Sequence, residues 1–274
     1  MSEIFEMLSY PFMARAIIVG TLVSLCAALL GVSLILKKYS MIGDGLSHVG
    51  FGALAIAQVL SLAPLAFSIP LVVIAAVLLL RLSEAGKIKG DAAIAVISVS
   101  ALAIGVIVIS VFGGANTDLV NYMFGSILSM SKADVTISIT LSVFVLILFI
   151  FFYNKIFSAT FDETFAKATG TKASLYNTAL AVLTAVTIVL GMRMMGAMLI
   201  SALVIFPGLT AMRVFSSFKG VTIFAAIISV LCVWCGLALS YFFALPTGAT
   251  IVLVNLVLLL ICSFASGAKS KCNH

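Results

Sequence analysis

Nine apolar runs recur along the chain, at about 16–36, 41–61, 64–81, 92–112, 135–153, 174–191, 195–213, 221–243 and 247–265. A helix needs roughly 20 apolar residues to cross the hydrocarbon of a bilayer. The runs are continuous, without the alternating segments of about ten residues that a transmembrane barrel requires. The pattern predicts an all-α polytopic membrane protein with about eight or nine transmembrane helices. Two runs are irregular. The second carries Gly43, Asp44, Gly45, Ser47, His48, Gly50 and Gly52, and the seventh carries Pro207-Gly208. Such interruptions predict broken or re-entrant segments that line a cavity, because irregular backbone at membrane depth must face protein or water. The amphipathic stretch 116–131 is predicted as a short helix outside the membrane.

The longest polar loop, about 154–173, contains Phe161-Asp-Glu-Thr-Phe-Ala-Lys-Ala-Thr-Gly170. Acidic residues at the start, Lys167 in the last turn and a closing glycine are helix punctuation. A short surface helix is predicted there, within a chain that reads as one transmembrane domain over residues 1–274.

Composition sharpens the class. Hydrophobic residues make up 64% of the chain and charged residues 9%, far from the quarter or so of charged residues in soluble domains. The net charge of +6 comes from basic residues scattered through short loops, which indicates no nucleic-acid partner. With the N-terminus outside and nine spans, only Arg15, Lys132 and Arg193 of the 15 Lys and Arg residues lie outside. The rest face the cytoplasm. That asymmetry obeys the positive-inside rule and predicts an outer N-terminus and a cytoplasmic C-terminus. Glu3 and Glu6 precede the first run in place of a basic signal-peptide region, so that run is expected to be a retained helix. The five cysteines form no disulfide framework, and four lie inside apolar runs. Cys232-Val-Trp-Cys235 has redox or metal spacing, but within a spanning run small buried hydrophobes are the expectation. No G-x-x-x-x-G-K-[ST] phosphate loop occurs, so any ATPase must be another chain.

Asp44 and His48 are the principal candidate site. At i and i+4 on a helix they share one face. An ionisable residue in hydrocarbon normally serves an ion path or a partner. A carboxylate oxygen with an imidazole nitrogen suits a first-row divalent metal such as zinc or manganese. Two readings stand: metal passage or gating, and an internal Asp–His hydrogen bond that pins helices. Two ligands do not complete a coordination shell, so others must come from further segments, a second subunit or water. Asp91 and Asp118 are weaker candidates at helix ends or in loops. Asp44 also follows the cytoplasmic Lys37-Lys38 by only a turn or two, which predicts a pair nearer the inside than a mid-membrane gate would be. Met192, Met194, Met195 and Met198 could bind soft copper(I), but apolar filling is the expectation. Residues 196–211 combine small residues with a proline, which suits close helix packing and a moving pore wall equally.

Three motifs occur in order: Ile42-Gly-Asp-Gly-Leu-Ser-His48, Gly196-Ala-Met-Leu-Ile-Ser-Ala-Leu-Val-Ile-Phe-Pro-Gly-Leu-Thr-Ala211, and Leu245-Pro-Thr-Gly-Ala-Thr-Ile-Val252. Together they resemble the membrane permease of bacterial metal-type ABC importers, which take up zinc, manganese or iron delivered by a surface binding protein. Segments 161–170 and 118–126 resemble that family's cytoplasmic loop and outer segment. The resemblance covers nearly the whole chain. It implies a second permease copy, two cytoplasmic ATP-binding cassette ATPases that use the ATP, and an extracytoplasmic metal-binding protein. It implies that Asp44 and His48 act in metal passage or gating, and that Asp162, Glu163, Phe165, Ala166, Lys167 and Gly170 contact the ATPase. Gly43, Ser47, Ser201 and Pro207 are expected to line or pack the path. Two departures stand out: Gly45 replaces a common alanine, and Ala244 replaces a frequent acidic residue, so no metal role is carried to that position.

The reading is a multi-pass permease of the bacterial cytoplasmic membrane, surrounded by lipid. It holds no permanent cofactor and performs no catalysis. Its cargo is a divalent transition metal, zinc ahead of manganese. The alternative is a stand-alone secondary metal transporter coupled to protons through Asp44 and His48. A membrane metalloenzyme would want a fuller ligand set, such as H-E-x-x-H, and the chain has none.

Overall fold

The computed structural model describes residues 10–84, 90–112, 125, 131–197 and 199–272. The 118–126 motif, most of the 116–131 stretch and Met198 lie outside the described residues, as do the side chains of Asp91, Lys167 and Met194. The described residues form eleven helices: α1 (Pro11–Leu36), α2 (Ser40–Val59), α3 (Pro64–Glu84), α4 (Gly90–Phe112), α5 (Lys132–Phe151), α6 (Tyr153–Phe161), α7 (Glu163–Ala168), α8 (Ala173–Met195), α9 (Ile200–Val214), α10 (Phe218–Phe243) and α11 (Thr247–Cys272). Seven of them, α1, α3, α4, α5, α8, α10 and α11, contain stretches long and apolar enough to cross a membrane. The helix boundaries follow local chemistry. Pro11 opens α1, where a missing N–H does no harm. Ser131 and Asp134 form a reciprocal capping box at the start of α5. Ala244, in the left-handed region, closes α10.

Of the four helices outside the set of seven, α6 and α7 belong to the polar loop, and α2 and α9 are the two irregular runs of the sequence. Neither is broken within its described length. α2 is a continuous helix despite its glycines, and α9 runs on through Pro207. With 15 residues, α9 is about 22 Å long, short of the roughly 30 Å of a hydrocarbon core. Both are sheltered by protein. α2 lies against α4, α3, α8 and α9, and α9 packs on α1, α11, α10 and α2. The centre of the bundle is α1 and α8, each two-thirds buried over its spanning window, whereas α4 and α11 are largely exposed and face outward.

Glycine brings α2 and α4 together. A Cβ on Gly52 would lie 2.7 Å from the carbonyl oxygen of Ala101, and one on Gly105 would lie 2.9 Å from the Cα of Gly52. Close backbone approach at small residues is how helices associate in lipid. Gly45 belongs to the same contact, since its Cβ would meet Ile94 Cγ2 at 2.7 Å. The departure from the familial alanine therefore has a packing reason in this chain. Gly43 is different, because its Cβ would sit 3.9 Å from Val204 Cγ1, an ordinary contact.

Gly52→Val should lower the stability of the purified permease by about 1–3 kcal/mol, because backbone cannot yield as a side chain does. Gly43→Ala should leave it unchanged or raise it by up to about 1 kcal/mol, because alanine is the better helix former. Thermal unfolding in detergent distinguishes the two; equal melting temperatures for both variants would contradict this packing.

Candidate functional site

Asp44 and His48 project from the first turns of α2, and their side chains meet. His48 Nε2 lies 3.6 Å from Asp44 Oδ2, with the side chains 16% and 41% exposed respectively. That separation is longer than a hydrogen bond. It is close to the spacing of two ligands on one metal, since bonds of about 2.1 Å at a tetrahedral angle hold their donor atoms about 3.4 Å apart. Nδ1 of His48 is buried and has no hydrogen-bond partner among the described residues.

The other oxygen of Asp44 is engaged by α9. Ser201 Oγ donates to Asp44 Oδ1 at 3.2 Å. Ser201 is buried in the first turn of α9, where unpaired backbone N–H groups make the local potential positive and favour a carboxylate. Ser47 is fully buried and donates to the backbone carbonyl of Asp44 at 2.7 Å. Gly43 is buried against α9, and Pro207 is buried within it. The structure thus brings Asp44, His48 and Ser201 together with Gly43 and Ser47 packed beside them, while Pro207 is buried further along α9.

α9 begins deep in the bundle. Ile200 and Val23 both press on Gly191, and Val204 presses on Gly31. The start of α9 therefore lies beside the middle of α1, while Gly43, next to Asp44, faces the same Val204 that presses on Gly31, toward the end of α1. Asp44 is also only about one turn into α2.

The polar loop forms the helix pair α6 and α7. Asp162 caps α7 by accepting from the Phe165 backbone N–H at 2.8 Å, and Gly170 takes a positive φ of 79° just beyond it. Phe161 and Phe165 are 57% and 61% exposed, large apolar surfaces on the polar loop. Asp162 and Gly170 are exposed and Glu163 is half-buried. Ala166 turns inward, fully buried against Ala159 of α6 and Ala173 of α8.

The remaining motifs stay apart from this site. Met192 and Met195 are buried in the core. Cys232 is buried, Cys235 is exposed, and both are free thiols. No group of three or more His, Cys, Asp or Glu gathers among the described residues. One pair was missed by sequence reasoning: Arg193 of α8 bonds Asp134 of α5 at 3.1 Å, with both side chains nearly buried. Ser131-x-x-Asp134 ahead of an apolar run was legible as a cap, but nothing in the sequence joined it to an arginine 59 positions away. The pair fixes the end of α8 just before Gly196, from which the chain turns into α9.

A bundle of membrane-crossing helices that gathers a carboxylate, an imidazole and a hydroxyl between two sheltered helices points to an integral-membrane transport protein. Residues 9–266 match the ABC 3 transport family, and the chain belongs to that family. It is a transport permease, not an enzyme, and a multi-pass protein of the cytoplasmic membrane. It is 28% identical over 261 residues to the manganese transport system membrane protein MntC of Halalkalibacterium halodurans, covering 95% of this chain and 89% of the relative. It is 29% identical over 255 residues to the high-affinity zinc uptake system membrane protein ZnuB of Haemophilus influenzae, covering 93% and 98%. Among solved structures it resembles a chain of PsaBC from Streptococcus pneumoniae in complex with Fab, with a TM-score of 0.86, 30% identity and coverage of 95% and 94%.

Breaking the Arg193–Asp134 pair on one side removes a nearly buried charge-assisted contact. Asp134→Ala should destabilise the permease by about 3 kcal/mol or more, whereas a paired Asp134→Leu, Arg193→Met replacement should recover much of the loss. Thermal unfolding of the single and double variants measures this, and equal stability of all three would show that the pair holds nothing.

Proposed function

We propose that this chain is the permease subunit of an ATP-binding cassette importer for a divalent transition metal, and that Asp44 and His48 bind the metal during passage. The observation that carries the reading is the Asp44–His48–Ser201 cluster, formed between the two helices that protein shelters on most sides. The pair can offer a carboxylate oxygen and an imidazole nitrogen at metal-ligand spacing, while Ser201 orients the carboxylate. Two ligands are too few for a dication that must shed its water in a path of low dielectric. Water or the same pair from a second permease copy completes the shell.

Manganese and zinc relatives both support the cargo class. Zinc is put ahead of manganese, although a carboxylate and an imidazole suit both metals. The whole chain, 1–274, acts as one permease domain with eight or nine transmembrane helices: the seven apolar ones, together with α2 and α9 as interior members. The positive-inside asymmetry favours an outer N-terminus and a cytoplasmic C-terminus. The α6–α7 loop then faces the cytoplasm, where Asp162, Glu163, Phe165, Lys167 and Gly170 meet the ATPase and Ala166 seats the segment from below. Family membership favours this ATP-driven complex over a stand-alone proton-coupled transporter. An extracytoplasmic metal-binding protein delivers the cargo.

Asp44→Ala and His48→Ala should each lower uptake of radioactive zinc and manganese by about 100-fold or more at equal membrane levels of permease, the scale of losing a direct ligand. Near-normal uptake in both would remove the pair from the mechanism. Ser201→Ala keeps both ligands but frees the carboxylate, and should lower uptake by about tenfold, as loss of an orienting partner does. A Ser201→Ala loss as complete as that of Asp44→Ala would make the hydroxyl itself a ligand.

A further inference from the structure

Asn177 sits near the start of α8 and is 3% exposed. Its Nδ2 donates to Glu163 Oε2 at 3.4 Å, on the first residue of α7. Its Oδ1 accepts from the ammonium of Lys37, the residue that caps α1. A buried amide is costly unless both ends are satisfied, and here both are satisfied by charges. Asparagine or glutamine suits this position for a chemical reason: one side chain must accept from a cation and donate to a carboxylate at once. Aspartate would repel Glu163, and leucine could make neither hydrogen bond.

What lies beyond Lys37 gives the contact its interest. The turn from α1 to α2 is three residues long and tied throughout. Lys37, Lys38 and Tyr39 donate their backbone N–H groups to Ser33, Ile35 and Leu34 at 3.1, 3.0 and 2.8 Å, and Ile42 donates to Tyr39 at 3.0 Å. Lys38 occupies the left-handed region at φ 62°. A turn bonded in this way transmits a displacement instead of absorbing it. Asp44 follows about one helical turn into α2. A continuous bonded path therefore runs from α7, through Asn177 and Lys37, to the helix that carries Asp44 and His48.

We propose that Asn177 is a positioning residue that couples the ATPase-facing loop to the metal site, with Lys37 as its second link. The role rests on the proposed function above. Movement of α7 imposed by the nucleotide cycle shifts Glu163, and the amide passes that shift to the base of α2. Neither residue is assigned a catalytic or metal-binding role.

The test uses the whole transporter in proteoliposomes, with permease, ATPase and binding protein, and measures zinc or manganese uptake per ATP hydrolysed. Wild-type uptake tests the underlying function: a wild-type complex that moves neither metal overturns that function, and this proposal with it. Given wild-type uptake, Asn177→Leu and Lys37→Met should each retain the ATPase on purification yet lower uptake per ATP by roughly tenfold, the scale of one lost charge-assisted hydrogen bond. The double variant should fall no further than either single one, because both break the same path. Lys37→Arg keeps the donor and should stay near wild type. Should Asn177→Leu fail to assemble, Lys37→Met against Lys37→Arg carries the comparison alone. A Lys37→Met ratio within about twofold of wild type, or losses that multiply in the double variant, would overturn the proposal. Loss of the ATPase from Lys37→Met would do so too, because it assigns the residue to docking.

Discussion

A carboxylate within a membrane protein must be met by other polar groups or by water, and the contact between α2 and α9 is built around Asp44, whose side chain stays 41% exposed. Hydrocarbon cannot solvate it. The chain answers with Ser201 on one oxygen, His48 beside the other, and the positive end of α9 at the same place. To bring them there, α2 is surrounded by α3, α4, α8 and α9, and α9 is shortened so that its first turn starts beside the middle of α1. The glycines of α2 let α4 approach closely alongside.

The arrangement suits the proposed metal passage, in which a site must both hold and release its cargo. His48 Nε2 and Asp44 stand at 3.6 Å, so the pair is not locked to itself, and the Ser201 hydrogen bond keeps the carboxylate aimed. A dication that replaces part of its water with these groups is stabilised by few ligands. Such a site suits a transporter, in which binding must be reversible within each cycle.

The seven apolar helices were legible in the sequence because length and hydropathy suffice to predict a span. The i, i+4 relation of Asp44 and His48 was legible because helical periodicity fixes it. The two irregular runs were correctly marked as different in kind, but the expected break did not occur within the described helices. α2 tolerates its glycines because neighbouring helices hold it, and α9 tolerates Pro207 inside a sheltered segment. Contacts between distant positions were not legible. Nothing local in the sequence joins Ser201 to Asp44, Arg193 to Asp134, or Asn177 to Lys37, since each depends on how helices far apart in the chain are packed. The loop helix was predicted from its punctuation, yet the inward turn of Ala166 needed the alanines of α6 and α8 to be seen beside it.

The central claim is that cargo metal binds the imidazole of His48 and the carboxylate of Asp44. X-ray absorption on zinc held in the complete transporter, with an ATPase partner that binds but does not hydrolyse ATP, tests this directly. The account predicts nitrogen and oxygen neighbours at about 2.0–2.2 Å, with the multiple-scattering signature of imidazole lost in His48→Ala. A sulfur shell at about 2.3 Å, or an imidazole signature that persists in His48→Ala, would contradict it.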